Sequence, residues 1–278
     1  MYADDATLHT AHSQLSVIEQ RLNADMNLTK QWCKQNNMSL NLNKTTCMLI
    51  GSRQRLCKVR DINVLYNNCT VKTVAYQKVL GINIDKNLSW NIHIDKICSD
   101  VSKRISLLRR LDRYLDKDAK LLYYNAYILP IMDYGAIVWG HCNNLNIERI
   151  CKLQKRAARL ILHKPIRYPS NELFKELNWL SFSERVKYLT GVMVYKSLNN
   201  LAPSYLSNIL LPLSQSSHHV TRAVSNQDLA VQRHNTELFK QSFTYSSSSV
   251  WNSLDTGIKQ SLSLKSFKYN LRNHIINK

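Results

Sequence analysis

The chain is poor in the residues that make turns. Only 6 glycines and 5 prolines occur among its 278 residues, against usual frequencies of about 7% and 5%. This scarcity argues against a many-stranded sandwich or barrel and favours long helices. Apolar residues make up 44% of the chain, which is enough for a hydrophobic core, so wholesale disorder is not expected.

Acidic residues are scarce relative to basic ones. The chain has 19 Asp and Glu against 38 Lys and Arg, a formal net charge of +19. Most of the excess lies after residue 100, where 26 basic and 11 acidic residues leave +15. Such a surplus indicates a polyanionic partner, most often nucleic acid. An anionic membrane surface, an acidic protein or a merely solvated basic surface are the alternatives.

Paired cysteines are missing as well. The seven cysteines are odd in number, no two are spaced as Cys-x-x-Cys, and no signal peptide precedes them. We interpret them as reduced thiols of an intracellular protein, in the nucleus or the cytoplasm, and not as a disulfide framework. His141, Cys142, Cys151 and His163 do not have the spacing of a zinc site.

One segment imitates a membrane span: LLYYNAYILPIMDYGAIVWG, residues 121–140. Its Asp133 would cost about 2.5–3.5 kcal/mol at the centre of an inserted helix. Because Pro130 also interrupts the segment, we predict a buried helix that breaks near Pro130, with no membrane partner and no transmembrane helix.

The hydrophobic period changes near Trp90. Before it, the spacing predicts a poorly anchored returning strand over 6–10, a helix over 12–36 and strands over 45–50, 59–66, 69–74 and 78–84. After it, helices are predicted over 94–111, 118–132, 146–163, 170–178, 183–199, 245–259 and 263–276, with a loop over 211–222. We therefore expect an α+β fold: a small antiparallel sheet with one long helix, followed by a mainly α-helical region.

The tetrad Tyr2-Ala3-Asp4-Asp5 is the sharpest chemical feature. Two neighbouring aspartates in a turn can hold a hard divalent cation, which prefers oxygen ligands, and pairs of such ions assist phosphoryl transfer. Asp-Asp turns are common, so the tetrad decides little by itself.

Two basic clusters lie on predicted helices. Within 146–167 the net charge is +6. Spacings of 3, 4 and 3 place four of the basic residues on one helical stripe, namely Arg149, Lys152, Arg156 and Arg159, and Lys155 lies next to this stripe. Within 103–113 the net charge is +4, from Lys103, Arg104, Arg109, Arg110 and Arg113 against Asp112. Such stripes can follow a phosphate backbone with salt-dependent affinity, or can simply be solvated. Tyr114 or Trp139 nearby could stack on a base or belong to the core.

Seven blocks, in order, resemble the C-terminal part of a non-LTR (LINE-type, jockey-like) retrotransposon reverse transcriptase. They are MYADDATL (1–8), WCKQNNMSLNLNKTTCMLIGS (32–52), KVLGINIDKNLSWNIHIDKI (78–97), LYYNAYILPIMDYGAIVWG (122–140), LQKRAARLI (153–161), LFKELNWLSFSER (173–185) and VWNSLDTGIKQSLSLKSFKYNL (250–271). The resemblance spans nearly the whole chain and is far more specific than the tetrad. Val79 and Asp255 depart from the family pattern.

The resemblance implies roles for the matched residues. Asp4 would be a catalytic ligand of Mg²⁺ or Mn²⁺, with Asp5 beside it, and Lys44 would assist the leaving pyrophosphate. Tyr2 would lie against the primer terminus or the nascent strand, and Leu80 and Gly81 would grip the primer. The two basic clusters would lie over the template–primer duplex, so the implied partners are an RNA template and an RNA–DNA or DNA duplex. A solvated lysine at Lys44 and a simple tight turn at Leu80-Gly81 are the alternatives.

The resemblance also implies three regions. Residues 1–88 would be a palm remnant with the tetrad turn and a primer-grip-like hairpin, 89–168 a basic helical thumb, and 169–278 a helical C-terminal region. Family polymerases need a further catalytic aspartate and fingers, which would precede Met1. We therefore expect a polymerase fragment that is inactive without its upstream segment. A nucleic-acid-binding remnant without catalysis, or a decayed mobile-element reading frame, is the alternative.

Overall fold

The computed structural model of the protein describes residues 6–216 and 222–277. The chain divides into two compact units, one ending at His93 and the other beginning at Ile94. It is mostly helical, with small sheets of two strands each, which agrees with the predicted α+β class.

The first unit is built on helix α1, Leu15–Gln35, close to the predicted bounds. Leu15, Ile18, Leu22 and Met26 recur on one side of α1, and they pack on a buried cluster formed by Ile62, Val64, Tyr66 and Val71. A short helix α2, Arg53–Leu56, follows and has no counterpart among the predicted elements.

The strands of this unit are shorter than the sequence predicts. They are β1 Thr46–Cys47, β2 Leu65–Tyr66, β3 Cys69–Thr70, β4 Lys72–Thr73, β5 Tyr76–Val79 and β6 Ile82–Asp85. They form three separate pairs: β1 with β4 in parallel, and β2 with β3 and β5 with β6 antiparallel. The prediction of a single small antiparallel sheet is therefore wrong, and residues 6–10 form no strand.

Side chains of α1 explain the missing strand over 59–64. The Glu19 carboxylate accepts hydrogen bonds from the Asn63 backbone N–H at 2.8 Å and from the Arg60 guanidinium at 2.7 Å. The Asn23 side chain accepts from the Leu65 N–H at 2.8 Å and donates to the Asn63 carbonyl at 3.2 Å. Because these backbone groups are satisfied by a helix, this segment needs no partner strand.

The second unit is helical, as predicted. Helix α3, Asn91–Leu111, begins in the first unit and continues into the second. The elements after α3 are, in order, a 3₁₀ turn at Asp112–Tyr114, α4 Lys117–Tyr123, a π-helical turn at Tyr124–Ile128, α5 Leu129–Asp133, α6 Ala136–Trp139, α7 Asn144–Leu162, α8 Ser170–Leu177, α9 Phe182–Leu198, α10 Ser204–Ser207, α11 Leu213–Ser216, α12 Arg222–Ser225, α13 Glu237–Lys240, α14 Phe243–Asn252, α15 Thr256–Lys259 and α16 Leu264–Ile276. The predicted helix 245–259 is thus two helices, and part of the predicted loop 211–222 is helical.

The helical break predicted near Pro130 lies a few residues later. The helix widens into the π turn Tyr124–Ile128, and Pro130 then occupies the first turn of α5, where its missing N–H is tolerated. The chain turns at Gly135, whose φ of 62° is the left-handed conformation that glycine adopts easily. The widened turn therefore accommodates the proline without ending the helix.

Helix α9 organises the core of the second unit. It starts with a capping box, in which the Ser181 side chain accepts from the Glu184 N–H and the Glu184 carboxylate accepts from the Ser181 N–H at 2.7 Å. Six of the eight residues from Thr190 to Ser197 are buried, whereas Ser183 and Lys187 nearer the start of α9 are exposed. The helix packs against α16, α14, α7 and α6.

Gly140, just after α6, marks a close approach to α9. A Cβ at Gly140 would lie 2.6 Å from Val186 Cγ2 and would also meet the Ala136 carbonyl oxygen. Gly140→Ala should therefore lower the free energy of unfolding by about 1–3 kcal/mol through overpacking, measured by urea denaturation.

The matched control is Gly257→Ala on α15, where a Cβ would have no atom within 4 Å. That variant should leave stability unchanged or raise it by up to about 1 kcal/mol. Equal effects at the two glycines would contradict the close packing at Gly140.

Candidate nucleic-acid interface

The predicted catalytic residues cannot be placed together by the structure. Tyr2, Asp4 and Asp5 lie outside the described residues. Lys44 is exposed in a turn of the first unit, where its backbone N–H donates to the Asn41 carbonyl at 3.1 Å. Within residues 6–216 and 222–277, no three His, Cys, Asp or Glu side chains are grouped to hold a metal ion.

Leu80 and Gly81 form the two-residue turn of the β5–β6 hairpin. Both have positive φ, 45° and 86°, which is the backbone twist that joins two antiparallel strands. Leucine is unusual in this conformation, and the Leu80 side chain is half exposed. The expected tight turn is thus present, while its contact with a primer stays a prediction.

A buried carboxylate that the sequence did not indicate fixes the segment after this hairpin. Asp85 is buried and accepts from the N–H groups of Asn87, Ser89 and Trp90 at 3.0, 3.1 and 2.9 Å, and from the Ser89 hydroxyl at 3.1 Å. These bonds hold the chain where it enters α3. An Asp followed by Asn, Ser and Trp gives only a weak sequence signal of such a turn.

On α3 and the turn after it, four of the five predicted basic residues are exposed. Lys103, Arg109, Arg110 and Arg113 point to solvent, opposite a fully buried apolar face that includes Ile94, Val101, Ile105 and Leu108. Arg104 differs, because its guanidinium donates to the Tyr127 carbonyl in the π turn. It therefore satisfies backbone inside the protein, in addition to any role at the surface.

On α7 the predicted stripe divides into engaged and available cations. Arg149 forms an ion pair with Asp95 at 2.5 Å, and this contact raises the pKa of its guanidinium. Arg159 donates to the Tyr168 carbonyl at 3.4 Å. In contrast, Lys152, Lys155 and Arg156 form no ion pair with any described residue, so their charges remain available.

The opposite face of α7 is fixed in the core. Ile150, Gln154, Ala157 and Ile161 are buried there, and the Gln154 amide donates to the Leu180 carbonyl at 2.9 Å. Because the polar and apolar sides are separated by about half a turn of helix, burial of one side presents Lys152, Lys155 and Arg156 on the other.

A buried charge cluster ties the two basic helices together. The Lys120 side chain, only 3% exposed, forms an ion pair with Asp112 at 2.6 Å and donates to Nε2 of His163 at 2.9 Å. Nδ1 of His163 faces the second oxygen of Asp112 at 3.7 Å. Asp112 follows α3, Lys120 lies on α4, and His163 ends α7 with a φ of 53°, so the cluster fixes the end of α7 near the end of α3.

The two aromatic residues considered for base stacking have different environments. Trp139 is fully buried, lies against Phe182 and donates from its indole N–H to the Tyr134 carbonyl at 2.9 Å. Tyr114 is 75% exposed beside Arg113, whose guanidinium carbon lies 5.7 Å from the ring centre. Trp139 is therefore a core residue, and only Tyr114 has an accessible ring.

Burial shifts the pKa values of two cysteine thiols and one histidine in the second unit. Partial burial raises the pKa of the Cys98 thiol, although Arg149 opposes that shift, and burial raises the pKa of Cys142 to about 11. His141 has its pKa lowered to about 4, mainly by burial and further by Lys187. These groups are uncharged near neutral pH, so none of them adds charge to the basic surface.

Comparison with known proteins agrees with the chemistry of this surface. The chain is 25% identical over 195 residues to a probable RNA-directed DNA polymerase from transposon BS of Drosophila melanogaster, which covers 68% of this chain and 21% of that protein. It is 22% identical over 231 residues to the RNA-directed DNA polymerase from the mobile element jockey of the same fly, covering 82% and 24%. The chain is related to the RNA-directed DNA polymerases of non-LTR retrotransposons.

A further relative of this kind is a Pol polyprotein from the type-1 retrotransposable element R1 of Bradysia coprophila. It is 25% identical over 165 residues, which are 58% of this chain and 16% of that protein. The chain thus spans about a quarter or less of the length of these retrotransposon polymerases. No family model matches the chain, and no solved structure matches it. None of the helices in the described ranges is both long and apolar enough to cross a membrane.

The buried Lys120 generates a stability prediction. Lys120→Met removes the cation and leaves the Asp112 carboxylate without its closest partner, so the free energy of unfolding should fall by about 3 kcal/mol. Urea denaturation followed by circular dichroism measures this.

Lys175→Met on α8 is the control, because its side chain is 77% exposed and lies 3.9 Å from Glu172. Loss of that surface contact should cost at most about 1 kcal/mol. A Lys120→Met variant as stable as the control would show that the cluster does not hold these helices.

Proposed function

We propose that this chain holds the template–primer duplex during RNA-directed DNA synthesis, using the available cations of α7 together with Arg109 and Arg113 at the end of α3 and in its following turn. The observation that carries the proposal is the row of unpaired cations Lys152, Lys155 and Arg156 on a helix whose other face is fixed in the core. The relatives' polymerase activity supports nucleic acid as the partner. In this assignment α3 and α7 belong to the thumb, and the β5–β6 hairpin is the primer grip.

A phosphate backbone suits this surface better than a small anion does. Lys152 and Arg156 lie about one turn apart along α7, a rise of about 6 Å, with Lys155 beside Arg156, so these cations can meet successive phosphates of one strand. Contacts to phosphate position a duplex without reading its sequence. The expected binding is therefore salt-dependent and sequence-tolerant.

Reversal of two charges on α7 tests the interface. Lys152→Glu with Lys155→Glu should reduce the slope of log K against log salt by about 1.8, since each lost phosphate contact removes about 0.9 on duplex DNA. Fluorescence anisotropy with a labelled duplex, repeated at several salt concentrations, measures the slope. Arg149 is left intact because it is paired with Asp95.

The matched control reverses Lys265 and Lys268 on α16, which have the same spacing and are also exposed. Both double variants change the net charge equally, so a general charge effect would alter both slopes alike. Equal slopes for the two variants would refute a specific role of α7.

Catalysis is the second part of the proposal, and it rests on the resemblance. Asp4 and Asp5 would hold Mg²⁺, which would neutralise charge on the reacting phosphates. A two-ion site needs a further carboxylate from a separate element, and the resemblance places that residue in an upstream polymerase segment. We expect this chain alone not to extend a primer on an RNA template.

A primer-extension assay with Mg²⁺ compares the chain with its Asp4→Ala variant. Nucleotide incorporation that Asp4→Ala abolishes would overturn the expectation, since another residue of this chain would then complete the site. Fusion to an upstream polymerase segment should give activity that depends on Asp4.

A further inference from the structure

The outward side of α3 carries a line of hydroxyl and cationic groups. Ser99, Ser102, Lys103, Ser106, Leu107 and Arg110 line a shallow groove of about 410 Å³. Their spacings of three, four and seven residues place them on one side of the helix. The hydroxyls of Ser99, Ser102 and Ser106 lie about one turn apart. Lys103 lies beside Ser102, and Arg110 lies one turn beyond Ser106.

These groups are available to a ligand. The Lys103 side chain is 76% exposed, and its nearest acid, Asp100, is 3.9 Å away. Arg110 forms no ion pair, and the hydroxyls of Ser99 and Ser102 form no hydrogen bond, with any part of the chain that the structure describes. Ser106 donates to the Ser102 carbonyl at 2.9 Å and keeps its acceptor sites.

A stacked pair of tyrosines lies beside α3, next to Arg104. Tyr123 and Tyr127 have ring centres 5.2 Å apart and planes 21° from parallel, and Tyr127 is 56% exposed. The Tyr123 hydroxyl donates to the Arg104 carbonyl at 3.2 Å. By helical spacing, Leu107 lies between Arg104 and the row of serines on α3, so we place the tyrosines on the side of α3 next to the groove.

Contacts with α3 hold the tyrosines in place. Arg104 donates to the Tyr127 carbonyl while its own carbonyl accepts from Tyr123, so both residues are tied to the same residue of α3. The π turn that contains Tyr127 changes the angular spacing of side chains along the helix. A ring that is already ordered loses little conformational entropy when a ligand stacks on it.

We propose that this surface, the α3 groove with Tyr123 and Tyr127, binds a single-stranded segment of nucleic acid. The hydroxyls and cations would contact its phosphates and an unpaired base would stack on Tyr127. The inference deepens the proposed function and rests on it. A single strand fits better than a duplex because bases in a duplex are already stacked on each other, whereas unpaired bases expose a face to an aromatic ring. Among the described residues, no aromatic ring is found against Lys152, Lys155 or Arg156, and these cations suit a duplex.

The experiment measures binding of the full chain to two probes of the same sequence. One is a labelled 12-nucleotide single strand that cannot fold, and the other is its blunt duplex. Tyr127→Ala should weaken single-strand binding by about 5- to 100-fold, the range expected for loss of one stacked base, and should change duplex binding less than twofold. Tyr127→Phe, which keeps the ring, should bind like the wild type.

Tyr269→Ala on α16 is the control for loss of an exposed tyrosine, since Tyr269 is 67% exposed. This variant should change neither the single-strand nor the duplex affinity.

A photocrosslinking measurement on the wild-type chain is independent of any effect of substitution on folding. A single strand containing 5-iodouracil should crosslink within residues 121–128, as mapped by peptide mass.

The outcomes separate the two proposals. Unchanged single-strand affinity in Tyr127→Ala, equal loss for both probes, or crosslinks confined to α7 would overturn the single-strand site while leaving duplex binding intact. Failure of the wild-type chain to bind either probe would instead refute the proposed function and this inference with it.

Discussion

Burial of the C-terminal half of α9 is the constraint on which the second unit depends. Six of the eight residues from Thr190 to Ser197 are buried, so neighbouring helices must cover this part, and α9 packs against α16, α14, α7 and α6. Gly140 and Gly191 allow two of these approaches, since a Cβ at Gly191 would lie 2.9 Å from Leu271 Cδ2. Because the buried side of α7 packs on α9, and Gln154 donates to the Leu180 carbonyl just before α9, the basic side of α7 is left outside. The direction of the candidate interface thus follows from core packing.

The net charge of +19 overstates what is available to a polyanion. Arg185 forms a two-pronged ion pair with Asp133, with closest atoms 2.6 Å apart, and Lys259 is buried against Asp228 at 2.5 Å. Lys120, Arg149 and Arg104 are similarly engaged. The pairs of Arg185, Lys259 and Lys120 are largely buried, and such pairs position elements more than they add net stability. Arg149 and Arg104 are engaged at the surface. The charges that can meet phosphate are the remaining ones on α3, its following turn and α7, and they are fixed in place by the buried ones.

The helices were predictable because their signal is local. A period of 3.6 residues predicted α1, α7, α8, α9 and α16 to within three residues at either end, whereas the paired strands were not predictable. Residues 59–64 alternate like a strand, yet the backbone groups of Asn63 and the N–H of Leu65 bond to Glu19 and Asn23, which lie 40 or more positions away and which no local pattern records. The same holds for Arg104, whose charge suggested a phosphate contact but whose guanidinium donates to the Tyr127 carbonyl in the π turn. Composition indicates how many cations there are, and only the fold determines which are free.

Strain near the hairpin gives a physical account of one block in the family resemblance. Leu80, Leu88 and Trp90 all have positive φ, a conformation that costs a non-glycine residue about 1–2 kcal/mol. Such strain persists only where surrounding contacts over-determine the backbone. Here the buried Asp85 carboxylate accepts four hydrogen bonds within five residues, and bonds to a charged acceptor contribute about 1.5–3 kcal/mol each.

The carboxylate therefore outweighs the strain of Leu88 and Trp90, which lie in or beside the loop it closes. Leu80 lies outside that loop and is held by the pairing of β5 with β6. The block KVLGINIDKNLSW thus contains both the strained turn and the carboxylate that stabilises the strained loop after it. The strained loop and the carboxylate that closes it depend on each other, so this segment behaves as one structural unit.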